Sequence, residues 1–243
     1  CDILGELHGN KVEPIKDIRA ALWDSLDEPI GSEALCKRVK AGNTVALIVS
    51  DMSRFWMRQD LVVPHLVDYL TQRCGVQEAD ISIVIANGTH EGGNEQELRT
   101  LVTDAVYDRV RVENHDCEAT DLVYLGTTPH GTPVSINRTA AQADIVICLG
   151  AVTHHVMAGF GGGRKSILPG ISSRETIFHN HAFSLDAAQL RSNPAIGNGV
   201  LKGNPLHEDM CEAAGLVKNL FIINLVMNAQ MQLAAIFSGH YLS

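Results

Sequence analysis

Three short runs of apolar residues set the strongest limit on how this chain folds. They lie at 44–49, Ile81–Ala86 and 144–149. Unbroken apolar runs are typical of strands in a parallel sheet that is covered on both faces. Segments with helical spacing or helical character separate them, at 15–25, 60–73, 94–102 and 205–214. The sequence therefore predicts an α/β fold with a largely parallel sheet and helices on both faces, Rossmann-like, with its ligand site at the carboxyl ends of the strands.

Weaker signals complete the predicted element order. Ser32 is a plausible N-cap for a short helix that runs to about Lys40. A stretch rich in glycine, threonine and proline at 126–133 predicts a hairpin. Four further strands are expected, one at the start of the chain around Cys1 and the others at 110–112, 220–226 and 233–237.

Composition excludes several classes of partner. The formal net charge is −9, which argues against a nucleic-acid backbone or an anionic membrane surface as the main partner. No apolar run approaches the roughly 18–20 residues of a membrane span. The six cysteines form no CxxC pair, so we expect free thiols in a reducing compartment and a cytoplasmic protein.

One stretch concentrates residues that carry chemistry. Between His155 and Lys165 the chain has four glycines, Gly159, Gly161, Gly162 and Gly163, and a second histidine precedes it. Glycines bring backbone N–H groups close to an anion, and a lysine adds a charge or an amine nucleophile. The stretch lacks the spacing of a standard phosphate loop. It predicts a site for a phosphorylated cofactor and a metal, with only one of the two adjacent histidines expected to be functional.

Polar residues also follow the first two predicted strands. Asp51 and Arg54 come after the first, where they are either a helix cap with an exposed arginine or contacts for ribose and for a carboxylate or phosphate. Asn87 to His90 follow the second, either as a surface turn or as part of a site. The loops at 50–54, 87–90 and 150–165 are expected to converge at one edge of the sheet.

His179 and His181 add a possible metal ligand further along the chain. Their spacing of two would point both rings the same way in an extended segment, but Asn180 between them gives no clear pattern. From these residues alone a phosphoryl-transfer enzyme, a metal enzyme and a nucleotide-binding module all stay open.

The motifs together resemble the nickel-dependent lactate racemase family. The matching order and spacing begin at about residue 12. The residues that carry the resemblance are Asp51-x-x-Arg54, Asn87-Gly88-Thr89-His90, His115-Asp116, His155-x-x-Ala158-Gly159-Phe160-x-Gly162-Gly163-x-Lys165-Ser166-Ile167-Leu168-Pro169-Gly170 and His181.

The resemblance implies a cofactor and roles for these residues. The cofactor would be a nickel-pincer nucleotide, the nickel complex of pyridinium-3,5-bisthiocarboxylic acid mononucleotide. Lys165 would tether it, His181 would be the fourth nickel ligand, and His90 and His155 would be paired acid/base groups. Asp51 and Arg54 would contact cofactor or substrate, and the loop containing Gly159, Gly162 and Gly163 would cradle the phosphate. One imidazole with three cofactor donors makes a square plane, which suits Ni(II).

We therefore expect a racemase or epimerase of a 2-hydroxy acid, lactate or a related acid, that depends on cofactor-synthesis proteins. Residues 1–243 would be the family's amino-terminal domain, with the carboxyl-terminal domain outside this chain. The segment Phe55-Trp56-Met57-Arg58 departs from the family, which usually has prolines there, and this difference bears on the substrate. The alternatives are a non-catalytic nucleotide- or phosphate-binding module or partner subunit of the same fold, and a metal-dependent hydrolase or phosphoryl-transfer enzyme.

Overall fold

A computed structural model describes residues 11–242 of the chain. The helices, in chain order, are α1 (Ile18–Asp27), α2 (Leu35–Arg38), α3 (Val63–Gln72), α4 (Glu95–Val102), α5 (Asp104–Tyr107), α6 (Arg138–Gln142), α7 (Arg174–Ala182) and α8 (Pro205–Gly215). The strands are β1 (Val45–Ser50), β2 (Ile81–Ala86), β3 (Arg111–Asn114), β4 (Val123–Thr127), β5 (Pro133–Ile136), β6 (Ile145–Ala151), β7 (His154–His155), β8 (Gly159–Phe160), β9 (Leu185–Asp186), β10 (Arg191–Ser192), β11 (Leu220–Met227) and β12 (Leu233–Gly239). Short 3-10 helices lie at Met52–Met57, Gln59–Leu61, Glu78–Asp80 and Gly163–Ser166.

The main sheet confirms the predicted α/β class. Its strand order is β12-β11-β6-β1-β2-β3, with β12 antiparallel at one edge and the other five strands parallel. From the centre of the sheet, successive strands of the chain are added toward one edge from β1 to β3, and toward the other edge from β6 through β11 to β12. The order therefore reverses between β1 and β6, and such a switch point is where open α/β sheets bind ligands.

Both faces of this sheet are covered. Side chains that alternate along β1 belong to different cores, Leu47 to one and Ile48 to the other. Helices α1, α3 and α4 pack on the first face, and α6, α7 and α8 pack on the second. Every residue of β6 is buried, which explains why its sequence is a continuous apolar run.

Most predicted elements are present, with differences at their ends. The helix predicted over 94–102 begins with a capping box in which Asn94 and Glu97 satisfy each other's backbone N–H. The helix predicted from about residue 60 begins at Val63, after two 3-10 turns. The prediction of Ser32 as an N-cap is wrong. Helix α2 begins three residues later without a side-chain cap, and the Ser32 hydroxyl instead accepts a hydrogen bond from Arg38.

The expectation that all cysteines are free thiols is also wrong. Cys36 in α2 and Cys74 just after α3 form a disulfide, with their Cα atoms 4.8 Å apart. The two residues are 38 positions apart in sequence and meet only because α2 and α3 pack on the same core, so no local spacing signals the pair. Cys117, Cys148 and Cys211 are free. The disulfide removes one ground for the predicted reducing compartment.

Two other predictions concern the ends and the surface of the molecule. The strand expected around Cys1 lies outside the described residues. Across 11–242, no helix has both the length and the apolar character needed to cross a bilayer.

Candidate functional site

A cavity of about 330 Å³ opens at the carboxyl edge of the sheet, beside the switch point. The loops that follow β1, β2 and β6 meet there, as predicted, and one face of α7 closes it. Six of the nine predicted site residues line it, namely Asp51, Arg54, His90, His155, Lys165 and His181.

The buried side chain of Gln59 holds the end of β1, from which the next loop starts. The Gln59 carboxamide accepts from the Ser50 N–H at 3.1 Å and donates to the Ser50 carbonyl at 2.7 Å. This fixes where β1 ends and turns Asp51 into the cavity. Asp51 starts a 3-10 helix but does not cap it, because its carboxylate accepts from the Ser53 hydroxyl and faces His90. Arg54 is exposed at the rim of the cavity.

The loop after β2 places His90 opposite Asp51. Asn87 is buried, and its amide donates to Asn114 and to the carbonyl of His115, which anchors the loop to the end of β3. The Nδ1 atom of His90 lies 2.5 Å from Oδ2 of Asp51. Because the carboxylate can only accept, Nδ1 carries the proton, and the Nε2 lone pair of His90 is left for a ligand.

A second link ties this loop to the segment after Lys165. The N–H of Gly88 donates to the carbonyl of Gly170 at 2.9 Å, and the N–H of Gly170 donates to the carbonyl of Lys165 at 3.0 Å. Gly88 has a φ of +57°, which is a conformation that glycine adopts without strain. Two hydrogen bonds thus connect the His90 loop to the backbone of Lys165.

His155 lies on a small hairpin made by β7 and β8. Its Nδ1 accepts from the backbone N–H groups of Met157 at 3.2 Å and Ala158 at 3.1 Å. Burial, followed by the charges of Lys165 and Arg54, lowers the pKa of His155 to about 4. The ring is therefore neutral at physiological pH, with its proton on Nε2.

Its neighbour His154 has a structural position. The His154 ring packs against Phe160 with centroids 4.9 Å apart and does not line the cavity. The prediction that only one of the two adjacent histidines belongs to the site agrees with this placement.

Lys165 lies in the 3-10 helix Gly163–Ser166 with its amine at the cavity. Burial, and then the neighbouring charges of Arg164 and Arg54, lower the pKa of Lys165 to about 8. A sizeable fraction of the amine is thus unprotonated near neutral pH, as a nucleophilic lysine requires.

Arg164 was not among the predicted site residues, yet it organises the glycine loop. Its buried guanidinium donates to the carbonyls of Ala158, Phe160 and Gly161. Three carbonyls of one turn therefore converge on a single side chain. An arginine beside a lysine in sequence gave no sign of this, because the two side chains leave the backbone in different directions.

The glycines are required for different reasons. Gly162 has a φ of +77°, and a Cβ there would lie 2.5 Å from Oδ1 of Asn224. Gly163 donates its N–H to that same oxygen at 2.9 Å. A Cβ on Gly159 would overlap the Val200 carbonyl, and Gly159 lines neither this cavity nor the smaller recess that adjoins it. The structure thus brings Gly162 to the site, while Gly159 and Gly163 serve packing contacts.

His181 reaches the cavity from α7, and the helix separates it from His179. The two rings point to different sides, since residues two apart on a helix are about 200° apart. His179 lies outside the cavity, with Nδ1 3.3 Å from Oγ1 of Thr132. Burial, and then Lys165, lower the pKa of His181. The Ile177 carbonyl, one helical turn earlier, partly offsets this lowering, and no hydrogen bond of normal geometry reaches the buried Nδ1 atom. A neutral imidazole that lines the cavity fits the requirements of a metal ligand.

A smaller recess of about 90 Å³ continues from the cavity toward the glycine loop. It shares Arg54, His155 and Lys165 with the main cavity, and Trp56 and Met57 close its far side. The unusual segment after Arg54 therefore borders the site.

One other cluster of metal-ligand types occurs within 11–242, formed by His130, Asp209 and Glu212. None of the three lines the cavity. Asp209 is buried and accepts from Thr128, Thr132 and Asn180, while His130 is paired with Glu212 at 2.8 Å. This cluster is accounted for as an internal hydrogen-bond network.

Comparison with known proteins gives a consistent result. The family model of the lactate racemase N-terminal domain matches residues 2–192. The lactate racemase of Thermoanaerobacterium thermosaccharolyticum is 32% identical over 217 residues, which are 89% of this chain and 49% of that protein. The lactate racemase of Lactiplantibacillus plantarum is 33% identical over 216 residues, or 88% of this chain and 49% of that protein.

Solved structures agree. The lactate racemase apoprotein from Thermoanaerobacterium thermosaccharolyticum superposes with a TM-score of 0.83 at 31% identity, covering 95% of this chain and 54% of that one. A Thermotoga maritima protein shares the fold, with a TM-score of 0.65 at 21% identity, covering 91% of this chain and 53% of that one. The chain spans about half the length of the curated relatives it matches.

Proposed function

The chain belongs to the lactate racemase family, matching its amino-terminal domain, and we propose that it forms the cofactor-holding part of a 2-hydroxy acid racemase or epimerase. The observation that carries the proposal is the convergence of His90, His155, Lys165 and His181 on one cavity. A simple phosphate-binding module has no use for two imidazoles and a buried amine in the same space.

The residues of the cavity fit the nickel-pincer nucleotide. The amine of Lys165 would tether it, because that amine is nucleophilic near neutral pH. The neutral imidazole of His181, which lines the cavity, would bind the nickel. Gly162 and the recess beside it would receive the nucleotide's phosphate. When bound, the cofactor supplies reversible acceptance of the hydride from the carbinol carbon of the substrate.

The chain's own residues orient the substrate and handle its proton. Arg54 at the rim presents a guanidinium, which suits a bidentate grip on the substrate carboxylate. The hydroxyl proton must leave as the hydride leaves, because a free alkoxide is too basic to form. The Nε2 atom of His90 takes that proton, and Asp51 then stabilises the imidazolium. His155 accepts the hydroxyl proton of the opposite enantiomer.

Trp56 and Met57 border the recess that would receive the phosphate, next to Arg54, so they bear on how cofactor and substrate are placed. Lactate, or a related acid, is the substrate that the family relationship supports best. The partners of the protein would then be this acid and the proteins that make the cofactor, and we propose the cytoplasm as the compartment in which they meet.

Production of the full-length protein together with the cofactor-synthesis proteins tests the proposal. We expect an added mass on Lys165, one nickel per chain, and interconversion of the lactate enantiomers measured by optical purity. A panel of larger 2-hydroxy acids tests the choice of lactate as the substrate. An unmodified lysine and no interconversion under these conditions would contradict the proposal and favour a binding module.

A further inference from the structure

The hydrogen bonds of the two cavity histidines are opposite in kind. His90 donates from Nδ1 to the carboxylate of Asp51, whereas His155 accepts at Nδ1 from two backbone N–H groups. A neutral imidazole has one N–H and one lone pair, so the contact at Nδ1 decides what Nε2 offers. His90 presents a lone pair at Nε2, and His155 presents an N–H.

We propose that His90 and His155 rest in opposite tautomers, with His90 ready as a base and His155 ready only as a hydrogen-bond donor, and that His155 becomes a base only after it releases the amides of Met157 and Ala158. The assignment of the tautomers stands on the hydrogen bonds alone. The statement about their use as bases rests on the proposed function.

His155 cannot act as a base while its Nδ1 atom accepts from the two backbone N–H groups. In its observed position His155 already carries the proton on Nε2, so it cannot accept another there. Protonation at Nδ1 would set an N–H against the N–H groups of Met157 and Ala158, which lie 3.2 and 3.1 Å away. Loss of the Nε2 proton would leave an imidazolate. The ring therefore exchanges no net proton until it moves its N–H to Nδ1 and gives up both backbone contacts.

The charges around each ring agree with this assignment. Lys165 and Arg54 surround His155 and disfavour an imidazolium there. His90 faces the carboxylate of Asp51, which favours an imidazolium once the proton arrives. The cavity as it stands is thus prepared for the enantiomer whose hydroxyl faces His90. For the other enantiomer, the ring of His155 must reorient before it can accept the hydroxyl proton.

Nitrogen NMR on the full-length protein labelled with ¹⁵N-histidine tests the assignment directly. Through-bond correlations assign the rings without any substitution. At neutral pH we expect a pyridine-type Nδ1 and a pyrrole-type Nε2 for His155, and the reverse for His90. The spectrum is recorded on the protein before the cofactor is loaded, and it needs no substrate.

Two histidines outside the cavity serve as internal references for this NMR measurement. His115 is held through Nε2 by the Ser172 carbonyl at 2.9 Å and should match His155. His130 is held through Nδ1 by Glu212 at 2.8 Å, which raises the pKa of His130, so it should match His90 at a pH where it is neutral. A pyrrole-type Nδ1 on His155, or the same tautomer on both cavity rings, would overturn the proposal. Because no turnover is involved, that failure is distinct from failure of the racemase activity.

Discussion

Replacing Asp51 by asparagine removes the partner that makes His90 a base. The amide is nearly the same size as the carboxylate, so the loop is expected to keep its shape and its contact with Ser53. An asparagine NH₂ facing Nδ1 would donate to it, which moves the ring proton to Nε2 and leaves no lone pair for the substrate. The substitution thus gives His90 the tautomer that His155 already has.

Two effects set the size of the loss. A hydrogen bond to a charged group is worth about 1.5–3 kcal/mol, and each 1.36 kcal/mol is tenfold in rate, so weaker stabilisation of the imidazolium costs about 10–200-fold. Loss of general-base help costs about 10²–10⁴-fold. We expect Asp51→Asn to lower kcat by about 10²–10⁴-fold while nickel content is unchanged.

The assay is the initial rate of conversion of each lactate enantiomer, with the rate divided by bound nickel. Asp60→Asn is the matched control, because it makes the same chemical change close by in the chain, where the carboxylate pairs with Arg58 at 2.8 Å outside the cavity. That control should keep the wild-type rate. If Asp51→Asn stays within about threefold of wild type, the Asp51–His90 pair has no part in the reaction.

Four further substitutions test the other assigned roles. Lys165→Ala should abolish the added mass on the chain. Loading of the wild type should speed up as pH rises through about 8 and then level off, because the unprotonated fraction of an amine with a pKa lowered to about 8 increases over that range; intact mass against time measures both. His181→Ala should keep the added mass but lose nickel, as read by metal analysis of desalted protein. Arg54→Lys should raise KM for the substrate about tenfold or more by removing the bidentate grip, which steady-state kinetics will show. Arg164→Met should lower stability by about 1–3 kcal/mol for each carbonyl left unpaired, seen as a lower midpoint in urea unfolding, with the exposed Arg138→Met as control.

The sequence was a good guide to the sheet and to the side chains that line the cavity. The runs that became β1, β2 and β6 are apolar because both sheet faces are buried, and strand ends bring their loops together whatever the loops contain. The sequence alone therefore predicted that His90 and Lys165 belong to one site.

What the sequence did not reveal depends on contacts across the chain. Helix α7 has no apolar stripe, because it buries the polar Thr176 and Asn180 and turns His181 to the cavity. The role of Arg164 depends on three carbonyls that converge only after the loop has closed. The disulfide of Cys36 with a distant cysteine likewise exists only in three dimensions.

The chain of hydrogen bonds from Gly88 through Gly170 to Lys165 has a consequence for anyone who redesigns this protein. The turn that carries His90, a proposed acid/base group, and the segment that carries Lys165, the proposed tether, are joined into one structural unit, although 75 or more positions separate them in sequence. A piece transplanted alone from a homologue would break one of these bonds if its backbone followed a different path, and the other piece would then lose its position. Chimeras that exchange substrate preference should therefore move 87–90 and 165–170 as one cassette.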